Sequence, residues 1–238
     1  MADIETCFSP ALFPLYKTDE SIVVVVDIFR ATTSICAAFH NGVKELIPVA
    51  TIEEARQMKD KGYVVAAERD GIKPDFADIG NSPDLFTPEI VAGKRVAYST
   101  TNGTQAISMA KNAKKLVIGS FLNIDILTRW LTIENAPVLI FCSGWKNRFN
   151  LEDSVFAGAL ASSLLESGIH QTQCDATLAA IDLWNLCKKD PVAYLEKASH
   201  KRRLQNLHMS HLIPYCLSFN LAPVLPILKD NVLVNHSF

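Results

Sequence analysis

The chain has 238 residues, enough for one large domain or two small ones, and 49% of them are hydrophobic, which excludes a disordered chain. With 23 basic and 25 acidic side chains the formal net charge is −2, so no broad electrostatic footprint for nucleic acid or an anionic membrane is expected. Six cysteines without a C-x-x-C pair argue for reduced thiols in a cytoplasmic protein, against a disulfide framework or zinc site. The opening MADIETCFSP lacks the pattern of a signal peptide, and no apolar run reaches the ~20 residues of a membrane span.

Short β-branched runs alternate with helical patterns, which predicts an α/β fold: layered α/β/α, with a largely parallel or mixed sheet and a helical C-terminal part. In chain order, a first strand is expected over 4–8 and a second over 22–26, followed by a helix over 32–40. A strand over 45–49 precedes a helix over 51–61 that opens with the capping box Thr51 and Glu54. Strands follow over 63–67, 95–99, 116–118 and 138–141. The helices between them start at Asn81-Ser82-Pro83 and run over 104–113, 124–131 and 151–166. Beyond residue 170 the patterns at 175–188, 192–207 and 208–217 are helical, and the Pro-interrupted tail reads as an edge strand. With no low-complexity linker, residues 1–238 are expected to form a single domain, a sub-boundary near 170 being the one alternative.

Three times an apolar strand runs into a polar loop of small residues that opens a helix: VVVVDIFRATTS, RVAYSTTNGTQ and VLIFCSGWKNRFNLED. Such loops sit at the carboxyl ends of parallel strands, where ligand crevices form, and they converge if those strands are parallel and close together. In the first loop Asp27 suits a hard cation such as Mg²⁺ and Arg30 suits phosphate or sulfonate oxygens. Taken alone, the two better fit a structural ion pair with Thr32 as a cap. In the second, Thr100 and Thr101 offer hydroxyls and Gly103 offers a positive φ for close approach of a ligand. The third carries Lys146, Arg148, Glu152 and Asp153, whose acids fit either a helix dipole or a metal. A long charged loop over 66–86 adds Glu68, Arg69, Asp70, Asp75 and Asp78, and ends in Asn81 and Ser82. Ser120 and Asn123 read as caps, and Cys142 as a buried thiol. The histidines, at 40, 170, 200, 208, 211 and 236, lie outside these loops, which disfavours a Ser-His-Asp or histidine-phosphatase scheme. The basic run His200-Lys201-Arg202-Arg203 reads as a solvated helix face or a contact with a second subunit. No P-loop, G-x-S-x-G or G-x-G-x-x-G motif is present.

DIFRATTS, AAERDG, IGNSP, STTNGT and GSFLN, with Cys142-Ser143-Gly144, Arg148-Phe149 and Leu151-Glu152-Asp153, resemble in order and spacing the 2-phosphosulfolactate phosphatase (ComB) family. The match covers residues 22–165 and continues more weakly over 199–204 and 215–228. The resemblance implies a cytoplasmic Mg²⁺-dependent phosphatase, a phosphoric monoester hydrolase that converts 2-phospho-3-sulfolactate to 3-sulfolactate and phosphate. In archaea this step belongs to coenzyme M biosynthesis; bacterial members serve other sulfonate or 2-phospho-acid pathways. On this resemblance Asp27, Glu68 and Asp153 are expected to hold Mg²⁺ and, with Arg30, to carry catalysis. Arg30, Arg69 and Arg148 would neutralise the anionic groups, and Asn81, Ser82, Thr100, Thr101, Asn102 and Gly103 would line the substrate pocket. The implied partner is a small anionic phosphorylated substrate, with a homo-oligomer as the one macromolecular assembly and neither nucleic acid nor membrane involved. Ala67 and Asp70 depart from the family pattern, where glycine is common, so a phosphatase for another phosphorylated hydroxy acid and a non-catalytic anion-binding or regulatory protein stay open as alternatives.

Overall fold

Every residue of Ile22–Val26 is fully buried, which makes the valine run a strand covered on both faces. In the computed structural model, which describes residues 1–238, it is the second of ten strands in one mixed sheet. They are β1 (Ala2–Cys7), β2 (Ile22–Val26), β3 (Glu45–Pro48), β4 (Val64–Ala67) and β5 (Arg95–Ser99), then β6 (Lys115–Gly119), β7 (Val138–Cys142), β8 (His170–Gln171), β9 (Pro226–Lys229) and β10 (Val232–Asn235). The helices are α1 (Ala31–His40), α2 (Ile52–Asp60), α3 (Pro88–Val91), α4 (Gly103–Ala110) and α5 (Ile124–Glu134), then α6 (Leu151–Glu166), α7 (Asp175–Cys187), α8 (Pro191–Leu195), α9 (Ser199–Asn206) and α10 (Ile213–Cys216). The strand order is β4-β5-β3-β10-β9-β6-β2-β7-β1-β8.

Alternation along β2 explains the layers. Ile22, Val24 and Val26 enter a core of 33 buried residues shared with α5, α6 and α7, while Val23 and Val25 enter one of 28 shared with α1 and α4. Each buried valine contributes roughly 1.5–3 kcal/mol, so a one-residue slip would reverse which core each side chain fills. A smaller cluster, including Ala55, Val65, Ala67 and Ala97, seats α2 against β4 and β5. The predicted capping box starts α2: the Glu54 amide donates to Thr51 Oγ1 (3.1 Å), and Glu54 Oε2 accepts from the Thr51 amide (3.1 Å).

The tail is not an edge strand. It folds as the hairpin β9–β10 and inserts between β6 and β3, antiparallel to both (Val117 opposite Ile227, Leu46 opposite Leu233). Its two-residue turn, Asp230-Asn231, has φ of 50° and 64°, the left-handed pair that matches the twist of a hairpin. Pro226 is tolerated as the first residue of β9, where its missing N–H weakens the ladder least. The segment beyond residue 170 thus adds β8, β9 and β10 to the sheet built by the first half of the chain.

Three predicted helices are also corrected. At Asn81-Ser82-Pro83 only a 3₁₀ turn, Pro83–Leu85, forms, because Pro88 forces Thr87 into the extended region (ψ 155°) and restarts the chain as the single turn α3. The pattern over 192–207 splits into α8 and α9 at Ala198, which is extended (ψ 139°) and buried between the buried Leu195 and Leu204. Over 208–217, His208 takes φ 57°, and a 3₁₀ turn precedes the short α10. No helix is long and apolar enough to cross a membrane.

Candidate active site

The chain passes from β2 into α1 within four residues, so the side chains between them are carried into the interior. Asp27 and Arg30 are 6% and 4% exposed. The hydroxyls after them hold the turn: Thr32 Oγ1 accepts from the Asp27 amide (3.0 Å), and Thr33 Oγ1 donates to the Ile28 carbonyl (2.9 Å). The ordinary ion pair does not form, for none of the molecule's salt bridges involves Asp27 or Arg30. Arg30 Nη1 donates to Ser82 Oγ and to Met209 Sδ, and Nε is buried with no partner. A guanidinium removed from water without a carboxylate costs several kcal/mol, which an incoming anion would offset.

Glu68 follows β4 and binds two loops together, accepting from the Thr101 amide (2.6 Å), Thr101 Oγ1 (3.1 Å) and the Gly71 amide (2.6 Å). Asn102 ties in the third loop, its Oδ1 accepting from the Lys146 amide (3.1 Å). Asp153, in the first turn of α6, accepts from the Ile28 amide (2.8 Å), Asn150 Nδ2 (2.8 Å), the Gly144 amide (3.2 Å) and Ser143 Oγ (3.3 Å). It thereby clamps the loops after β2 and β7.

The result is a pocket where Asp27, Arg30, Glu68, Asn81, Thr100 and Asn102 come together. Ser82 stands behind it, in contact with Arg30. Arg69 faces away: its guanidinium donates to the Ala50 carbonyl (2.9 Å), Ser99 Oγ (2.9 Å) and the Glu68 carbonyl (2.6 Å). Thr101 supports Glu68 and opens on the neighbouring cleft beside Arg69. Arg148 closes a turn through its backbone to Trp145 (2.9 and 3.0 Å), and the residue is exposed outside the pocket. Gly144 permits that turn, since a Cβ there would lie 2.2 Å from the Arg148 carbonyl oxygen.

The second loop does not converge as a near neighbour of the first. β3, β10, β9 and β6 stand between β5 and β2, and the hairpin reverses the strand sense between the two halves of the sheet. The loops meet because α4 and α1 abut at their starts. Gly103 has no positive φ; its need is space, as a Cβ would lie 2.5 Å from Ala31 Cβ and 3.0 Å from Asp27 Oδ2. Gly103→Ala is expected to cost roughly 1–3 kcal/mol of stability, as other overpacked sites do, read by urea unfolding. An unchanged midpoint would mean that α4 moves freely against α1.

Two pocket residues come from the basic run that reads as a solvated face. His200 and Arg203, three apart on α9, line the pocket, whereas Arg202 is exposed and Lys201 pairs with Glu196. The guanidinium of Arg203 lies 4.1 Å from the Trp145 ring centroid, with Nε and Nη2 buried and unpartnered. His200 Nδ1 lies 2.7 Å from Oε1 of Glu152, which is 1% exposed. The i, i+3 spacing of His200 and Arg203 was the signal in the sequence, masked by the two further charges between them.

Burial pushes the Asp27 carboxyl up to about 6, against the pull of the His200 charge and the Ser143 hydroxyl, with Glu68 adding to the rise. Burial also pushes Asp153 well up, reinforced by Asp27 and Glu152. Glu152 goes the other way: burial raises it, but the His200 hydrogen bond and charge outweigh that and hold it below the usual carboxylate range.

For a metal, the three expected carboxylates do not form one set. No group of three or more His, Cys, Asp or Glu side chains stands together as a metal cage, and Asp153 accepts from four protein donors away from the pocket lining. Asp27 and Glu68 do share the pocket, and Asp27 has no cationic partner in a salt bridge. One or two carboxylates completed by substrate phosphate and water are what Mg²⁺ usually takes, so this pair fits the ion.

The model of the 2-phosphosulpholactate phosphatase family matches residues 7–231. The chain belongs to this family. Relatives named as probable 2-phosphosulfolactate phosphatases include proteins of Picosynechococcus sp., 35% identical over 86% of this chain and 86% of the relative, and of Thermotoga maritima, 33% identical over 90% and 92%. A third, from Caldanaerobacter subterraneus subsp. tengcongensis, is 31% identical over 90% of each. The family match extends past α9, so in this member of the 2-phosphosulpholactate phosphatase family the segment bearing His200 and Arg203 is part of the matched unit.

Proposed function

We propose that this chain is a Mg²⁺-dependent phosphatase that hydrolyses 2-phospho-3-sulfolactate to 3-sulfolactate and inorganic phosphate. The observation that carries the reading is Arg30: a buried guanidinium with no carboxylate partner and an unbonded Nε, in one pocket with two buried carboxylates. A phosphate monoester supplies the missing partner, because its oxygens match the guanidinium fork and its charge replaces lost hydration. Arg203, held over Trp145, offers two unpartnered donors to a second anionic group, the carboxylate or sulfonate of such a substrate. The relatives' names point to the same molecule.

Asp27 and Glu68 would hold Mg²⁺, which when bound supplies Lewis-acid polarisation of the phosphoryl group. The chain's own contribution is orientation and charge. Arg30 binds the phosphoryl oxygens and stabilises charge gathering there in the transition state. Phe29, Leu204 and Leu207 form an apolar wall that keeps water back and strengthens these interactions.

Phosphate release from a panel of phosphorylated hydroxy acids, with Mg²⁺ and with a chelator, tests this. Mg²⁺-dependent release from 2-phospho-3-sulfolactate, faster than from 2-phospholactate without the sulfonate, is expected. No release from any member would overturn the reading, and full release under chelation would overturn its metal.

A further inference from the structure

We propose that His200 donates the proton to the departing alcohol oxygen, with Glu152 as its positioning residue; the inference rests on the phosphatase reading above. Glu152 occupies the first turn of α6 and accepts from Asn150 Nδ2 (3.1 Å) as well as meeting His200 Nδ1. Held ionised by that contact, it fixes which ring nitrogen faces inward, as a carboxylate does for any catalytic imidazole. The ring is set between Phe29 (centroids 5.8 Å apart, planes at 75°) and Trp145 (5.7 Å, 50°). Nδ1 is taken by Glu152 and Nε2 has no protein hydrogen-bond partner, in a residue that lines the pocket.

The other pocket groups are poorly suited to this task, Asp70 being paired with Lys146 Nζ (2.8 Å). Arginine does not release a proton at neutral pH. Glu68 already accepts three hydrogen bonds, and Asp27 is the proposed metal ligand. The leaving group is the alkoxide of a hydroxy acid, far too basic to depart readily without a proton. As the ester P–O bond breaks, its electron pair goes to the ester oxygen, which takes the Nε2 proton. Over the cycle one water is consumed: its oxygen ends on phosphorus, and one of its protons replaces the one Nε2 gave up. General acid catalysis of this kind contributes roughly 10²–10⁴-fold.

The test compares an alkyl ester, 2-phospho-3-sulfolactate, with p-nitrophenyl phosphate, whose phenolate leaves without protonation. His200→Asn, which keeps a donor toward Glu152, is expected to lose roughly 10²–10⁴-fold in kcat on the alkyl ester and less than ~10-fold on the aryl ester. Glu152→Gln is expected to show the same split at smaller size. On the natural ester alone, the bridging-¹⁸O isotope effect on kcat/KM is expected to grow in His200→Asn, because the oxygen then leaves unprotonated. Equal losses on both esters with an unchanged isotope effect would make His200 a structural residue and overturn the proposal, as would full alkyl activity in His200→Asn. If the wild-type protein releases phosphate from neither ester, the phosphatase reading itself fails and takes this inference with it.

Discussion

Asp27→Asn is expected to remove roughly 10²–10⁴-fold of phosphatase turnover and, in metal-free buffer, to make the protein more stable at neutral pH. The stability half follows from burial. The Asp27 carboxyl titrates at about 6 in the folded protein, above its value of about 4 in an unfolded chain. Below pH ~4 the group is protonated in both states and contributes no difference. As pH rises from about 4 to 6 the unfolded chain releases its proton first, so the folded state loses ground. Above 6 the full cost of a buried, unpaired carboxylate is present, about 1–3 kcal/mol, and the neutral amide removes it. Urea unfolding of both proteins with a chelator, at pH 4 and pH 8, measures this directly. The midpoints should coincide near pH 4 and separate at pH 8 with the variant higher. A variant less stable at pH 8 would mean that the Asp27 charge has a structural partner. Loss of function with gain of stability is the pattern of a residue kept for its chemistry.

Much of the frame was legible because it is local. β2 and β5 have the predicted bounds, β7 is longer than predicted by one residue and β6 by one at each end, and the Thr51 capping box stands as read. What escaped the sequence depends on long-range pairing or on which way one side chain turns. The β9–β10 hairpin meets β6 across about a hundred residues of chain, and nothing within PVLPILKDNVLVNHSF distinguishes an interior strand from an edge. Arg69 looked like an anion clamp, yet consecutive residues at a strand end point to opposite faces, and with Glu68 turned to the pocket Arg69 turns to Ala50 and Ser99. Asp153 was legible as important and not as a clamp of two loops, because its donors come from Ile28, Ser143, Gly144 and Asn150. The HKRR run concealed two pocket residues because α9 places only one of its faces against the site.

Arg30→Met is expected to lower kcat/KM by roughly 10³–10⁵-fold, the scale on which an arginine stabilising a transferring phosphoryl group acts, while changing stability by less than about 1 kcal/mol. Methionine keeps a long flexible stem in the space. It removes a buried guanidinium whose Nε is unbonded and whose contacts are a hydroxyl and a thioether. Losing those contacts costs stability; removing the uncompensated charge returns it. If Asp27 and Arg30 were instead an ion pair closing the end of β2, truncating either would cost ~3–5 kcal/mol by stranding the other. A double-mutant cycle separates the two accounts. The leading charges acting on Asp27 are those of His200 and Glu68, and neither Asp27 nor Arg30 takes part in a salt bridge. The stability changes of Asp27→Asn and Arg30→Met should therefore add to within ~0.5 kcal/mol. The same cycle read in kcat/KM should not add, because a ligand of the metal and a clamp on the phosphoryl group serve one transition state, and removing the second after the first costs little more. Independence in folding with strong coupling in turnover is the signature of two charges that meet only through a substrate.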